Sequence, residues 1–132
     1  MKRLFKPALL VIRNKKLLVV REGGSDFWLT PGGAPENNEN DEQCLRREIM
    51  EEIGAEIDRK TLRYFGEFED QAAHEANTLV HISAYLGDVN GEIKPSMEVE
   101  ELAWIGENTT LLLSAIIKNK ILPKLVEKGL VR

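Results

Sequence analysis

Glu48, Glu51 and Glu52 fall within five residues of one another in a segment that reads as helix. With Glu48 at the origin and about 100° per residue, Glu51 lies near 300° and Glu52 near 40°. All three carboxylates therefore share one arc of about 100°, beside an apolar stripe of Leu45, Ile49 and Ile53 rather than opposite it. At an effective dielectric near 20 and about 6 Å apart, each pair repels by roughly 3 kcal/mol. On a fully wet helix the same pairs cost only about 0.2–0.5 kcal/mol. A solvated face is the plainer reading of a charge run. A face that lines a cleft instead demands a cation. Hard oxygen donors suit Mg²⁺ or Mn²⁺, which keep several waters and share their coordination with substrate phosphates. An EF-hand calcium loop matches less well, because the turn glycine is missing and the helix follows the acidic loop at once.

The surrounding composition makes this segment stand out. The chain has 132 residues, enough for one domain (1–132) with a real core, and a net charge of −4. Residues 36–56 hold eight acids and two bases, whereas residues 1–21 hold seven bases and no acid. The modest acidic balance argues against stable nucleic-acid binding or an anionic membrane partner. Cys44 is the single cysteine, so no internal disulfide forms. The apolar run from Ala8 to Ile12 is too short for a signal peptide or a membrane span. The expectation is a soluble cytoplasmic domain, monomeric or homodimeric.

The elements that must hold the glutamates follow from periodicity and turn chemistry. Leu9–Ile12 and Leu17–Arg21 read as short strands. Gly23-Gly24 and Pro31-Gly32-Gly33 break the chain on either side of Phe27-Trp28-Leu29. Asp41 is the expected N-cap of a helix over 42–53, and Gly54 stands at its C′ position. Leu62–Glu69, Leu79–Leu86 and Glu101–Ile105 read as further strands, and a closing helix is expected from Leu111, capped by Asn108 or Thr109 and kinked or restarted at Pro123. This order suggests an α/β sandwich.

The stretch Gly33-x5-Glu39-x7-Arg47-Glu48-Ile49-x-Glu51-Glu52-x-Gly54 resembles the Nudix (MutT-like) box, preceded by Pro31-Gly32. Ala55 replaces the larger aliphatic favoured after it, and Asn37-Asn38 replaces a commoner Pro-Gly. The order of elements also resembles that family's α/β/α sandwich, with mixed sheet and two main helices. The resemblance implies water-driven hydrolysis of a diphosphate linked to another moiety, with divalent cations, Mg²⁺ or Mn²⁺, bound. It implies Glu48, Glu51 and Glu52 as metal ligands, with the backbone carbonyl of Gly32, and Glu48 and Glu52 as catalytic residues. Arg47 is expected to orient Glu51, with Gly33, Glu39 and Gly54 structural in the box and Glu36 bracing its loop. Glu98, in preference to Glu100 or Glu101, is the candidate general base.

Arg21, at a strand end beside the glycine turn, is the candidate phosphate clamp in substrate binding. Trp28 is expected to pack under the loop and Trp104 in the core. His74 and His81 are plain loop and strand histidines unless they line the pocket, and Cys44 is packing rather than a nucleophile. The expected substrate is a small nucleotide, most simply a nucleoside triphosphate, including an oxidised one. The alternatives are a dinucleotide, a nucleotide sugar, or a non-catalytic nucleotide-binding module.

Overall fold

The apolar residues of the first strands are nearly continuous rather than alternating, the pattern of strands buried on both faces. The computed structural model describes residues 1–132 and explains why. Along β1 (Lys2–Leu10) and the residue after it, Ala8 and Leu10 enter one core while Leu9 and Val11 enter another. In β3 (Lys16–Glu22), Leu17 and Val19 join the first core and Leu18 and Val20 the second. The sheets thus form the middle layer of an α/β/α sandwich.

One sheet has the order β1-β5-β4, with β5 spanning Thr78–Asn90 and β4 Glu56–Gln71. There β1 runs parallel to β5, and β4 antiparallel to it. The other sheet is antiparallel, β2-β3-β6, with β2 at Ile12–Arg13 and β6 at Val99–Ile105. The segment 28–32 stitches the two sheets together. Leu29 bridges Val20 on β3, and Gly32 bridges Ala8 on β1.

Helix α1 (Asp41–Ile53) covers one face through Leu45, Ile49 and Ile53. Its N-cap is Asn40, one residue earlier than expected, because Asn40 and Gln43 form a reciprocal capping box. Asp41 is instead the first helical residue. Gly54 closes the helix in the left-handed conformation at φ 63°. On the opposite face the chain turns helical only at 115, passes through a π-turn at Ile117–Ile121, and continues as α2 (Leu122–Glu127). The expected start at Leu111 is too early: Leu113 bridges Trp28, and the Thr109 hydroxyl accepts from the Leu111 amide in a local turn. Pro123 is the second residue of the last α-helical piece, directly after the π-turn.

β1, β4 and β5 all exceed their sequence expectations. Lys2 to Lys6 carry three basic residues and neither alternation nor a long apolar run, yet they pair with Thr78 to Ile82. Trp104 is the main correction to the core. On edge strand β6 it stays 39% exposed, with the Arg13 guanidinium 5.7 Å above its ring.

Candidate active site

Helix α1 delivers its glutamates to a cleft open to solvent. Glu48, Glu51 and Glu52 form one wall; Leu4, Phe5 and Lys6 of β1, Gly32 to Ala34, Glu22 and the loop Met97 to Val99 form the rest. The glycines are steric requirements here. A Cβ on Gly33 would lie 2.5 Å from the Glu48 carboxyl carbon. Gly32 sits at φ 151° with a Cβ position that collides with the Pro7 carbonyl, and its amide donates to Glu52 Oε1 at 3.3 Å.

Glu52 is the most perturbed carboxyl. Burial, followed by hydrogen bonding and repulsion from Glu48, pushes its pKa up to about 9, against a smaller opposing pull from the Gly32 amide. The Glu48 and Glu52 side chains therefore sit within hydrogen-bonding reach of each other.

Arg47 organises the flank of the cleft. Its guanidinium donates to Glu39 at 2.8 and 2.9 Å, to Glu48 at 2.8 Å and to the Ala34 carbonyl at 3.2 Å. It also lies 3.1 Å from Glu36 and 3.5 Å from Glu51. Hydrogen bonding to Arg47, then the Glu36 amide, holds Glu39 down at about 2. Arg47 thus ties loop to helix, a wider role than orienting Glu51 alone. Glu98 is exposed at the rim, and its carbonyl accepts from the Gly23 amide at 2.9 Å.

Arg21 has a different role from the clamp expected of it. Its Nε and Nη2 donate to Glu101, Nη2 also to Glu100, and Nη1 to the carbonyls of Glu22 and Ser25. All five N–H groups are engaged. Arg21 pairs directly across from Glu101 in the β3–β6 register, so its guanidinium pins the glycine turn to β6 and has no donor left for a phosphate.

Beside the cleft lies a second cavity, and His74 and Ser114 are among its lining residues. His74 Nε2 is 3.2 Å from the Ser25 hydroxyl. His81 lines neither cavity; it sits between Glu67 and Glu69 on the sheet surface. Trp28 is buried, and Cys44 donates to the Gly33 carbonyl at 3.1 Å with its thiol pushed by burial up to about 11, an unreactive packing group. The sequence reading missed Glu22 and Lys6. Glu22 follows Arg21 at a strand end, and Lys6 interrupts an apolar face of β1, a signal open to detection only once β1 is extended back to Lys2.

A family model described as NUDIX domain matches residues 4–125. The chain belongs to the Nudix family. Among curated relatives, a mouse asymmetrical bis(5'-nucleosyl)-tetraphosphatase is 30% identical over 92 residues, covering 68% of this chain and 63% of that protein. A Proteus vulgaris 8-oxo-dGTP diphosphatase is 53% identical over 36 residues, covering 27% of this chain and 32% of that one. In both matches the chain spans less than two thirds of the relative's length. A MutT Nudix hydrolase structure from Burkholderia pseudomallei shares the fold at TM-score 0.75 and 19% identity, covering 96% of this chain and 98% of that one. The E. coli ORF135 protein gives TM-score 0.73 at 25% identity, covering 98% and 94% respectively.

The Nudix box donors fit a hard dication, though not as a closed cage. No three acidic, histidine or cysteine side chains converge in ligand geometry. Glu48 and Glu52 alone are adjacent, while Glu51 leans toward Arg47. Mg²⁺ is typically held by one or two carboxylates with water and substrate oxygens completing its shell, so a paired carboxylate in an open cleft is a suitable donor set.

Proposed function

We propose that this chain hydrolyses the diphosphate linkage of a nucleoside diphosphate derivative, converting a nucleoside triphosphate to its monophosphate and pyrophosphate with Mg²⁺ or Mn²⁺. The observation that carries this reading is the Glu48–Glu52 pair, two carboxyl groups pressed together in an open cleft where either a shared proton or a cation must offset their charge. Glu48, Glu51, Glu52 and the Gly32 carbonyl would hold the metal. When bound, it neutralises phosphate charge and makes coordinated water more acidic. Glu98, on the facing loop, takes the proton of the attacking water as general base. Gly33 keeps space open for Glu48, and Arg47 fixes that carboxylate against the loop.

The two curated relatives, a tetraphosphatase of dinucleosides and an 8-oxo-dGTP diphosphatase, support a nucleotide substrate. The mouse relative also favours a second reading, cleavage of a dinucleoside polyphosphate. A non-catalytic binding module has less support, since every box carboxylate is present. The deciding assay is a panel of nucleoside triphosphates, dinucleoside polyphosphates and nucleotide sugars with Mg²⁺ and Mn²⁺, scoring pyrophosphate against orthophosphate. Monophosphate plus pyrophosphate from a triphosphate is the expected result. Absence of turnover across the panel with either metal overturns the proposal.

A further inference from the structure

The carboxylate cleft and the second cavity share two side chains of β1, Leu4 and Lys6. The second cavity is walled by apolar groups that include Leu29, Val80, Ile82 and Ile116, with the Ser114 hydroxyl among them. Ser114 is 2% exposed, and its Oγ is the one buried side-chain polar atom without a hydrogen-bond partner. A cavity with so apolar a wall is suited to the organic part of a ligand.

Charge points to the same place. Five glutamates line the cleft, Glu22, Glu48, Glu51, Glu52 and Glu98, against one basic side chain, Lys6. Lys6 is also the only lysine or arginine in the wall of the second cavity. Leu4 and Ala8 flank it on the same face of the strand, so an ammonium here breaks an apolar row. Its Nζ makes neither ion pair nor hydrogen bond. Glu75, in the same cavity wall, is paired with Lys2 at 3.3 Å, and Arg21 is fully engaged with Glu100, Glu101 and the turn. An ammonium that no side chain of the fold engages is available to an anionic ligand.

We propose that Lys6 is the phosphate anchor of this chain: its ammonium binds the phosphoryl group joining the diphosphate in the cleft to an organic group seated in the Ser114 cavity. The inference rests on the hydrolase reading above and adds a substrate-binding residue to it. Glu48, Glu51 and Glu52 would hold a cation that offsets the phosphates in the cleft, whereas at the junction of the two cavities Lys6 is the one basic side chain lining both. The anchor explains how a wall rich in acids accepts an anionic substrate without Arg21.

The test uses the best nucleotide of the panel with wild type, Lys6→Met and Lys6→Arg, each shown folded by its metal-free melting curve. Methionine keeps length and apolar contact but removes charge; Lys6→Gln repeats the test should it not fold. Lys6→Met should raise KM about tenfold while kcat changes less than about threefold, and Lys6→Arg should stay within about threefold of wild type. The matching nucleoside 5'-monophosphate and bare nucleoside then serve as competing ligands. The monophosphate should bind about tenfold more weakly to Lys6→Met, the nucleoside unchanged. Unchanged KM and unchanged monophosphate binding overturn the anchor and leave the hydrolase standing. Equal losses for monophosphate and nucleoside also overturn it, because Lys6 would then shape the cavity without holding phosphate. A wild type that turns over nothing fails the hydrolase reading instead, and the same two ligands, followed by direct titration, still judge Lys6.

Discussion

Glu52 and Arg21 show how a side chain's role depends on what faces it. Glu52 is pressed against Glu48 and the Gly32 amide in a site that tolerates one proton or one cation. Glu52→Gln copies the neutral form in size and hydrogen bonding but cannot offer a full ligand charge. We expect kcat to fall by about 10²–10³ in the Mg²⁺ assay, as for removal of one preorganised electrostatic contact, with the metal-free melting temperature held or raised. Full turnover in that variant would take the box out of the chemistry. Arg21 went the other way. Its position beside a glycine turn suggested a phosphate, but Glu100 and Glu101 lie across the β3–β6 ladder and claim its donors. Lys6, with no such neighbours, is the cation left over.

At the scale of elements, the exposed face of the β1-β5-β4 sheet carries a network of its own. His81 on β5 lies 2.6 Å from Glu67 and 3.3 Å from Glu69 on β4, with the tilted ring of Phe5 of β1 5.4 Å away and Arg3 holding Glu69. Hydrogen bonding to Glu67, against the opposing effect of burial and with further help from Glu69, raises the His81 pKa above its usual 6.5. A raised histidine stabilises the folded state fully below the unfolded pKa, and the gain disappears as pH rises through the folded value. The melting-temperature advantage of wild type over His81→Gln should therefore be largest below about pH 6.5 and shrink at higher pH. An advantage independent of pH would mean that the imidazolium contributes nothing and that only shape matters. The same sheet face also shows why β4 was read short, as Leu62–Glu69: two register irregularities, between Asp58 and Arg63 and between Tyr64 and Gly66, break its alternation.

The whole molecule is a sheet layer with a core on each side, and the cleft opens where α1, β1 and the loop Met97 to Val99 meet. A cation bound there couples to global stability by mass action. At about 100 times its dissociation constant, Mg²⁺ or Mn²⁺ should stabilise the fold by roughly 2.7 kcal/mol, seen as a rise in melting temperature. Replacing Glu48, Glu51 and Glu52 together with glutamine should abolish the rise, and relief of their repulsion should leave the metal-free protein no less stable. If the triple variant responds to metal as wild type does, the site lies elsewhere.

What the sequence determined by itself is mostly local. The spacing of Glu48, Glu51 and Glu52 put three carboxylates on one face of a helix whose stripe and Gly54 terminator were equally plain, because helical geometry needs only near neighbours. The apolar runs Leu9–Ile12 and Leu17–Arg21 marked the first strands. The box resemblance marked the family. Tertiary structure decided everything set by distant partners. It moved the N-cap to Asn40 through a Gln43 side chain, left Trp104 open on an edge strand and delayed the closing helix because Leu113 pairs with Trp28. It tied up Arg21 and left Lys6 unpaired between two cavities. A side chain's charge is written in the chain, but whether that charge is spent depends on residues about 80 positions away, which only the folded register brings within reach.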